Sequence, residues 1–148
     1  MDVDPSRLRR GELLAGAGAV LLLVFMLAGK WAGSNTGFQS LVSLRWLVAV
    51  TIAAAFALVV LQMTRRAPAV PVTMSLIVLL LGIITVVALI YRVLINPPAR
   101  QHTAAYLGLL SAIALAYGGY LSLREEGISR RDAPRDIPVV RPGAENGS

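Results

Sequence analysis

The sequence predicts an all-α polytopic membrane protein, a bundle of four transmembrane helices joined by short loops. Three observations lead there. Hydrophobic residues make up 56% of the 148 and charged residues only 15%, where a soluble domain is about half apolar and about a quarter charged. Four apolar runs each approach the length that crosses a hydrocarbon core about 30 Å thick. Arginines gather in the segments between those runs, which accounts for a pI near 10.8 without invoking nucleic acid. The chain has no cysteine, so neither a disulfide framework nor a thiolate metal site can form.

Residues 13–29, LLAGAGAVLLLVFMLAG, carry no charge and would make about 26 Å of helix. Asp4-Pro5 ahead of them reads as an N-cap and a first-turn proline, with a cytoplasmic segment over 1–10 and a span over about 11–30. The run exceeds the apolar core of a signal peptide, and Lys30-Trp31 interrupts a small-residue cleavage site, so the segment is expected to be retained. The second span, about 41–63, contains Arg45. The third, about 71–93, opens on Pro71 and is closed by Asn96-Pro97-Pro98. Bulky all round apart from Gly82, it is expected to face lipid more than its neighbours. The fourth covers 103–123. The remaining segment, 124–148, balances basic against acidic residues, holds three prolines, and reads as a disordered cytoplasmic tail.

Orientation follows from lysines and arginines in the short connections. Ten lie on the side of the termini, including Arg9, Arg65, Arg66 and Arg124. Four, Lys30, Arg45, Arg92 and Arg100, lie on the other. That places both termini in the cytoplasm. All eight carboxylates fall on the inner side, leaving the outer face positive with nothing to neutralise it. Arg45, near the outer end of its span, can snorkel to the phosphate level, with Trp31, Trp46 and Tyr91 as interfacial anchors. Lys30, Arg45, Arg92 and Arg100 are therefore candidate contacts for anionic lipid, because arginine binds phosphate in a bidentate fork.

Chemistry is sparse at the centres of the spans. Transporters and intramembrane enzymes place ionisable groups there, whereas these spans offer Thr51, Thr85 and Ser111, expected to bond to the preceding turn or a neighbouring helix. His102, the sole histidine, reads as a solvated loop residue, since metal sites need several ligands. Neither a cofactor nor a metal is expected. Glu12 sits at the cytoplasmic edge of the first span. One reading makes it a titrating carboxylate, as in small multidrug exporters. The other makes it an interfacial ion pair with Arg9, Arg65, Arg66 or Arg124, or a first-turn complement to the helix dipole. The second is preferred, because the apolar residues flank Glu12 on one side only.

Small residues recur every fourth position as Gly11-Ala15-Ala19, Ala49-Ala53-Ala57 and Ala104-Gly108-Ala112-Ala116, stripes that let helix backbones approach closely. They serve either folding within one chain or association between chains.

The segments RRGELLAGAG, NTGFQS, LIYRVLINPP and AYGGYLSLREEG resemble those of a family of small, uncharacterised four-span membrane proteins of high-GC actinobacteria. The resemblance covers most of the chain up to Gly127 and implies four helices in the plasma membrane, with no activity attached. Where that family has an aromatic-proline pair after the first helix and an acid after the segment matching NTGFQS, this chain has GKWAG and the basic SLRW. Its outer face is correspondingly more positive. The functional expectation is a non-enzymatic membrane protein of the cell envelope, structural or partner-binding. Its partners would be the lipid bilayer and a homo-oligomeric or membrane-protein neighbour, with no nucleic acid. The alternative is a small transporter or channel acting as an oligomer.

Overall fold

The computed structural model describes residues 9–64 and 71–131, with side chains over 9–64 and 73–125. Its elements in chain order are α1 (Arg10–Leu27), β1 (Lys30–Ala32), β2 (Asn35–Thr36), α2 (Gly37–Ser40), α3 (Arg45–Thr64), α4 (Pro71–Ile90) with a π-helical turn over Tyr91–Ile95, and α5 (Thr103–Arg131). Four of the helices are long and apolar enough to cross a membrane. The fold is all-α apart from one small hairpin, and the chain is a multi-pass membrane protein.

α1 and α5 form the central pair. Their backbones meet at glycines: a Cβ on Gly18 would lie 2.6 Å from the Leu115 amide nitrogen, and one on Gly118 would collide with the backbone of Ala15. Gly11 meets Ser122 in the same way. In lipid the helices gain nothing from hiding apolar surface, so dispersion between closely approaching backbones holds them together. Half of the most apolar stretch of α5 is buried, against 39% for α1 and 28% for each of the other two spans. The third span therefore faces lipid no more than the second.

The first and third small-residue stripes lie partly at this seam, with Ala15, Ala19 and Ala112 fully enclosed. The second does not. α3 turns Val48, Thr51, Ile52, Ala55 and Leu58 inward and leaves Ala53 exposed. A helix apolar on every side gives no sequence signal for which face is inside.

The element boundaries differ from the sequence expectation at five places: α1 ends at Leu27 and not near 30, since Lys30 already belongs to β1, and the other four each have a local cause. Arg9 is extended (ψ 163), so α1 starts at Arg10; the Asp4-Pro5 start lies outside the described residues. The second helix begins at Arg45 rather than near 41, because Leu41 leaves helical geometry (φ −100, ψ 52) and is buried in the core. Its carbonyl accepts from the amides of Leu44 and Arg45, at 3.0 and 2.7 Å. At the end of α4, Pro97 drives Asn96 out of helical geometry (φ −127, ψ 64). The last turn widens so that the Asn96 amide reaches the Tyr91 carbonyl five residues back, at 2.8 Å. α5 does not stop near 123 but runs to Arg131, so the first residues of the segment expected to be a disordered tail are helical. The rest of that segment lies outside the described residues.

The loops opposite the termini form a cap organised by Trp31. Expected as an interfacial anchor, Trp31 is instead only 2% exposed. β1 and β2 pair antiparallel as Lys30 with Thr36 and Ala32 with Asn35, and the register slips between them, at Trp31. A bulge re-aims a side chain, and here the indole enters the bundle. Its ring fills a slot left by Gly37 and Gly108, where a Cβ at either position would collide with it. Its Nε1–H donates to the Phe25 carbonyl at 2.7 Å, satisfying one of the carbonyls orphaned at the end of α1. Gly33 makes the turn at φ +58.

Gly108→Val should therefore lower stability by about 1–3 kcal/mol through overpacking against the indole. Trp31→Phe, which leaves the Phe25 carbonyl unpartnered, should cost about 1–2 kcal/mol. Thermal or denaturant unfolding in mild detergent measures both, and an unchanged Gly108→Val midpoint would contradict this packing.

Candidate functional site

Three groups of polar side chains lie along the bundle axis. At the end bearing the termini, Glu12 is only 2% exposed. It occupies the third position of α1, where its Oε2 accepts the Arg9 amide at 3.1 Å. This is the return half of a capping box and places a negative charge at the positive end of the helix dipole. Of the expected ion-pair partners, Arg124 is exposed on α5, and Arg65 and Arg66 lie outside the described residues. Near this end the Ser75 and Ser122 hydroxyls meet at 3.2 Å between α4 and α5, both fully buried.

At mid-height the Thr51 and Thr85 hydroxyls lie 2.7 Å apart, joining α3 to α4. The Thr51 hydroxyl donates to the Leu47 carbonyl at 2.8 Å. Its single proton is thereby used, so Thr85 is the donor in the pair. Ser111 bonds back to the Leu107 carbonyl at 2.7 Å. All three hydroxyls do what the sequence suggested, two of them across helices.

At the hairpin end the four cations expected on one face are together at one end of the bundle. Lys30 begins β1. The Arg100 carbonyl accepts the Gly33 amide at 3.0 Å, and Arg100 itself takes φ +58. The neighbouring Gln101 reaches the Val93 carbonyl at 3.1 Å, next to Arg92. Arg92 donates from Nη1 to the Asn96 carbonyl at 3.0 Å, a basic group at a helix C-terminus, as the dipole favours. Arg45 is the first residue of α3 and of the span, at its end and not four residues inside it. Its guanidinium carbon lies 5.6 Å from the centre of the Phe38 ring and 5.7 Å from that of Trp46, within cation–π range. Trp46 and Tyr91 are exposed.

His102 is exposed as expected, but it is a fastener in the cap. Its ring Nε2 lies 3.1 Å from the Gly33 carbonyl, so that nitrogen carries the hydrogen, and its amide bonds the Trp31 carbonyl at 2.9 Å. Among the described residues no three His, Asp or Glu side chains come together as a metal site would need. Sequence reasoning missed the cap altogether; the only available signal was Gly33-Ser34, a turn dipeptide between KWA and NT.

The threonine pair is directly testable. Thr51→Val and Thr85→Val should each destabilise, and a double-mutant cycle should show a coupling of about 0.6–1.7 kcal/mol. Additive losses would mean that the hydroxyls do not bond.

Comparison of the chain with protein-family models, with curated proteins and with solved structures finds no match.

Proposed function

We propose that this chain is a non-enzymatic bundle of the cell envelope that works by binding another copy of itself or a second membrane protein. It lies in the plasma membrane with both termini in the cytoplasm. The observation that carries this reading is where the mid-bundle hydroxyls go: Thr51, Thr85 and Ser111 are each committed to a neighbouring helix or to the turn before. Groups spent on holding helices together suit a scaffold. The outward face of α3, with Trp46, Val50, Ala53 and Val60 exposed, supports the partner-binding half. Its small residues would let a second helix approach closely. The bias of basic residues toward the termini supports the orientation. The resemblance to the actinobacterial four-span family supports the plasma-membrane location.

Reporter fusions after Ser148 and at residue 66 should read as cytoplasmic, and those at residues 35 and 99 as external. A mature N-terminus near residue 34 would overturn the topology by showing cleavage. Energy transfer between labelled copies in nanodiscs, together with co-purification in mild detergent, should reveal association that Ala53→Ile weakens. A monomer without a partner in both measurements overturns the reading.

The second reading, an oligomeric transporter, is favoured by one observation, the buried Glu12 carboxylate. On the scaffold reading Glu12→Gln keeps an oxygen acceptor and costs roughly 0.5–1.5 kcal/mol of stability. Uptake into proteoliposomes driven by a pH gradient and abolished by Glu12→Gln would establish the transporter instead.

A further inference from the structure

The Thr51–Thr85 hydrogen bond sets the register of the antiparallel helices α3 and α4. Arg45 lies six residues from Thr51 and Arg92 seven from Thr85 on the same side of that bond, so the two arginines stand about 9 and about 10 Å above it. They are level. Lys30 and Arg100 lie in the loops around them, and both are exposed. No aspartate or glutamate occurs between Glu12 and Glu125, so nothing in the chain at this end neutralises four positive charges.

Arg45 is the least comfortable of the four. A cation at the first residue of a 20-residue helix opposes the helix dipole. Its Nε is buried with no hydrogen-bond partner. The Phe38 and Trp46 rings engage the guanidinium without consuming any of its N–H donors. An anion against the terminal N–H groups would offset the unfavourable charge at the helix N-terminus and use donors that the rings leave free. Exposed Trp46 and Tyr91, each next in sequence to one of the arginines, set the height at the membrane–water interface, where lipid phosphates lie.

We propose that Arg45 and Arg92, with Lys30 and Arg100 at the rim, form a binding site for the phosphate of an anionic lipid headgroup at the hairpin end of the bundle. Arg45 presents its terminal N–H fork to the phosphate. Arg92 contributes the donors not engaged by the Asn96 carbonyl. The lysine and Arg100 supply charge that favours an anionic over a zwitterionic lipid.

Native mass spectrometry of the full chain in mild detergent tests this with phosphatidylglycerol and phosphatidylcholine as probes. Phosphatidylglycerol should be retained as a one-to-one adduct in excess over phosphatidylcholine. Replacing both arginines (Arg45→Gln, Arg92→Gln) should lower that excess by about tenfold or more, as expected for losing a charge-assisted hydrogen bond. Arg10→Gln with Arg124→Gln, at the opposite end, should leave it unchanged. Arg92→Gln alone gives up only a bond to the Asn96 carbonyl and covers the case in which the double variant does not fold; it too should lose retention. Equal retention of the two lipids, or equal retention by parent and hairpin-end variants, overturns the site. So does an equal loss in the opposite-end control. Displacement of the lipid by millimolar inorganic phosphate would make the ligand a free anion and overturn the lipid assignment.

Discussion

Everything in this bundle is arranged around the close approach of α1 to α5. Gly11 and Gly18 on one helix and Gly118 on the other bring the two backbones into contact where a single methyl group would not fit. Between helices surrounded by lipid there is no gain from excluding water, so contact of this kind, repeated along the seam, supplies much of the association. The other two spans pack on the outside of that pair. They present less of themselves to protein, and buried hydroxyl pairs supplement their packing: Thr51 with Thr85 between α3 and α4, and Ser75 with Ser122 between α4 and α5. Each interhelical hydroxyl bond is worth only about 0.6 kcal/mol on average, but it is directional.

The two ends of the bundle are built on different physics. At the end of the termini, carboxylates and arginines are mixed, and the buried Glu12 returns to the backbone of its own helix. At the other end the connections are folded, not merely short. The indole of Trp31 lies among residues from four segments: it bonds the last turn of α1, packs on Gly37 of α2 and on Gly108 of α5, and its own backbone belongs to the hairpin. His102 and Gln101 tie the loop after α4 to the same cap through the Trp31, Gly33 and Val93 carbonyls. A cap held at this many points presents its basic residues in a set arrangement.

Charge at that end works against the protein's own backbone. Arg92 at a helix C-terminus is favourably placed; Arg45 at a helix N-terminus is not. The aromatic residues beside Arg45 offset part of the cost. With four cations and no anion in the chain at one end, the charge there is uncompensated by the protein itself, which is the basis of the lipid site proposed above. That is a property of the assembled end, since the four residues come from two separate connections, α1 to α3 and α4 to α5.

The amino-acid sequence by itself determined the number of spans, their lengths to within a few residues, and the separation of charges between the two ends. These depend on local properties: runs of apolar residues, prolines that stop a helix, arginines that stay near water. It also indicated that Thr51, Thr85 and Ser111 would bond within the bundle, because a hydroxyl in hydrocarbon has few alternatives. Only the tertiary structure decided which face of each helix is inside. A helix apolar on all sides carries no amphipathic signal, so the alanine stripe of α3 and that of α1 read alike, though one faces outward and the other a neighbouring backbone. Trp31 was misplaced for a related reason: tryptophan suits both an interface and a core slot, and the slot exists only once Gly37 and Gly108, distant in sequence, are brought together. Arg45 moved from inside a span to its first residue because the chain buries Leu41 in the core in a non-helical conformation. That burial depends on core contacts absent from the local sequence.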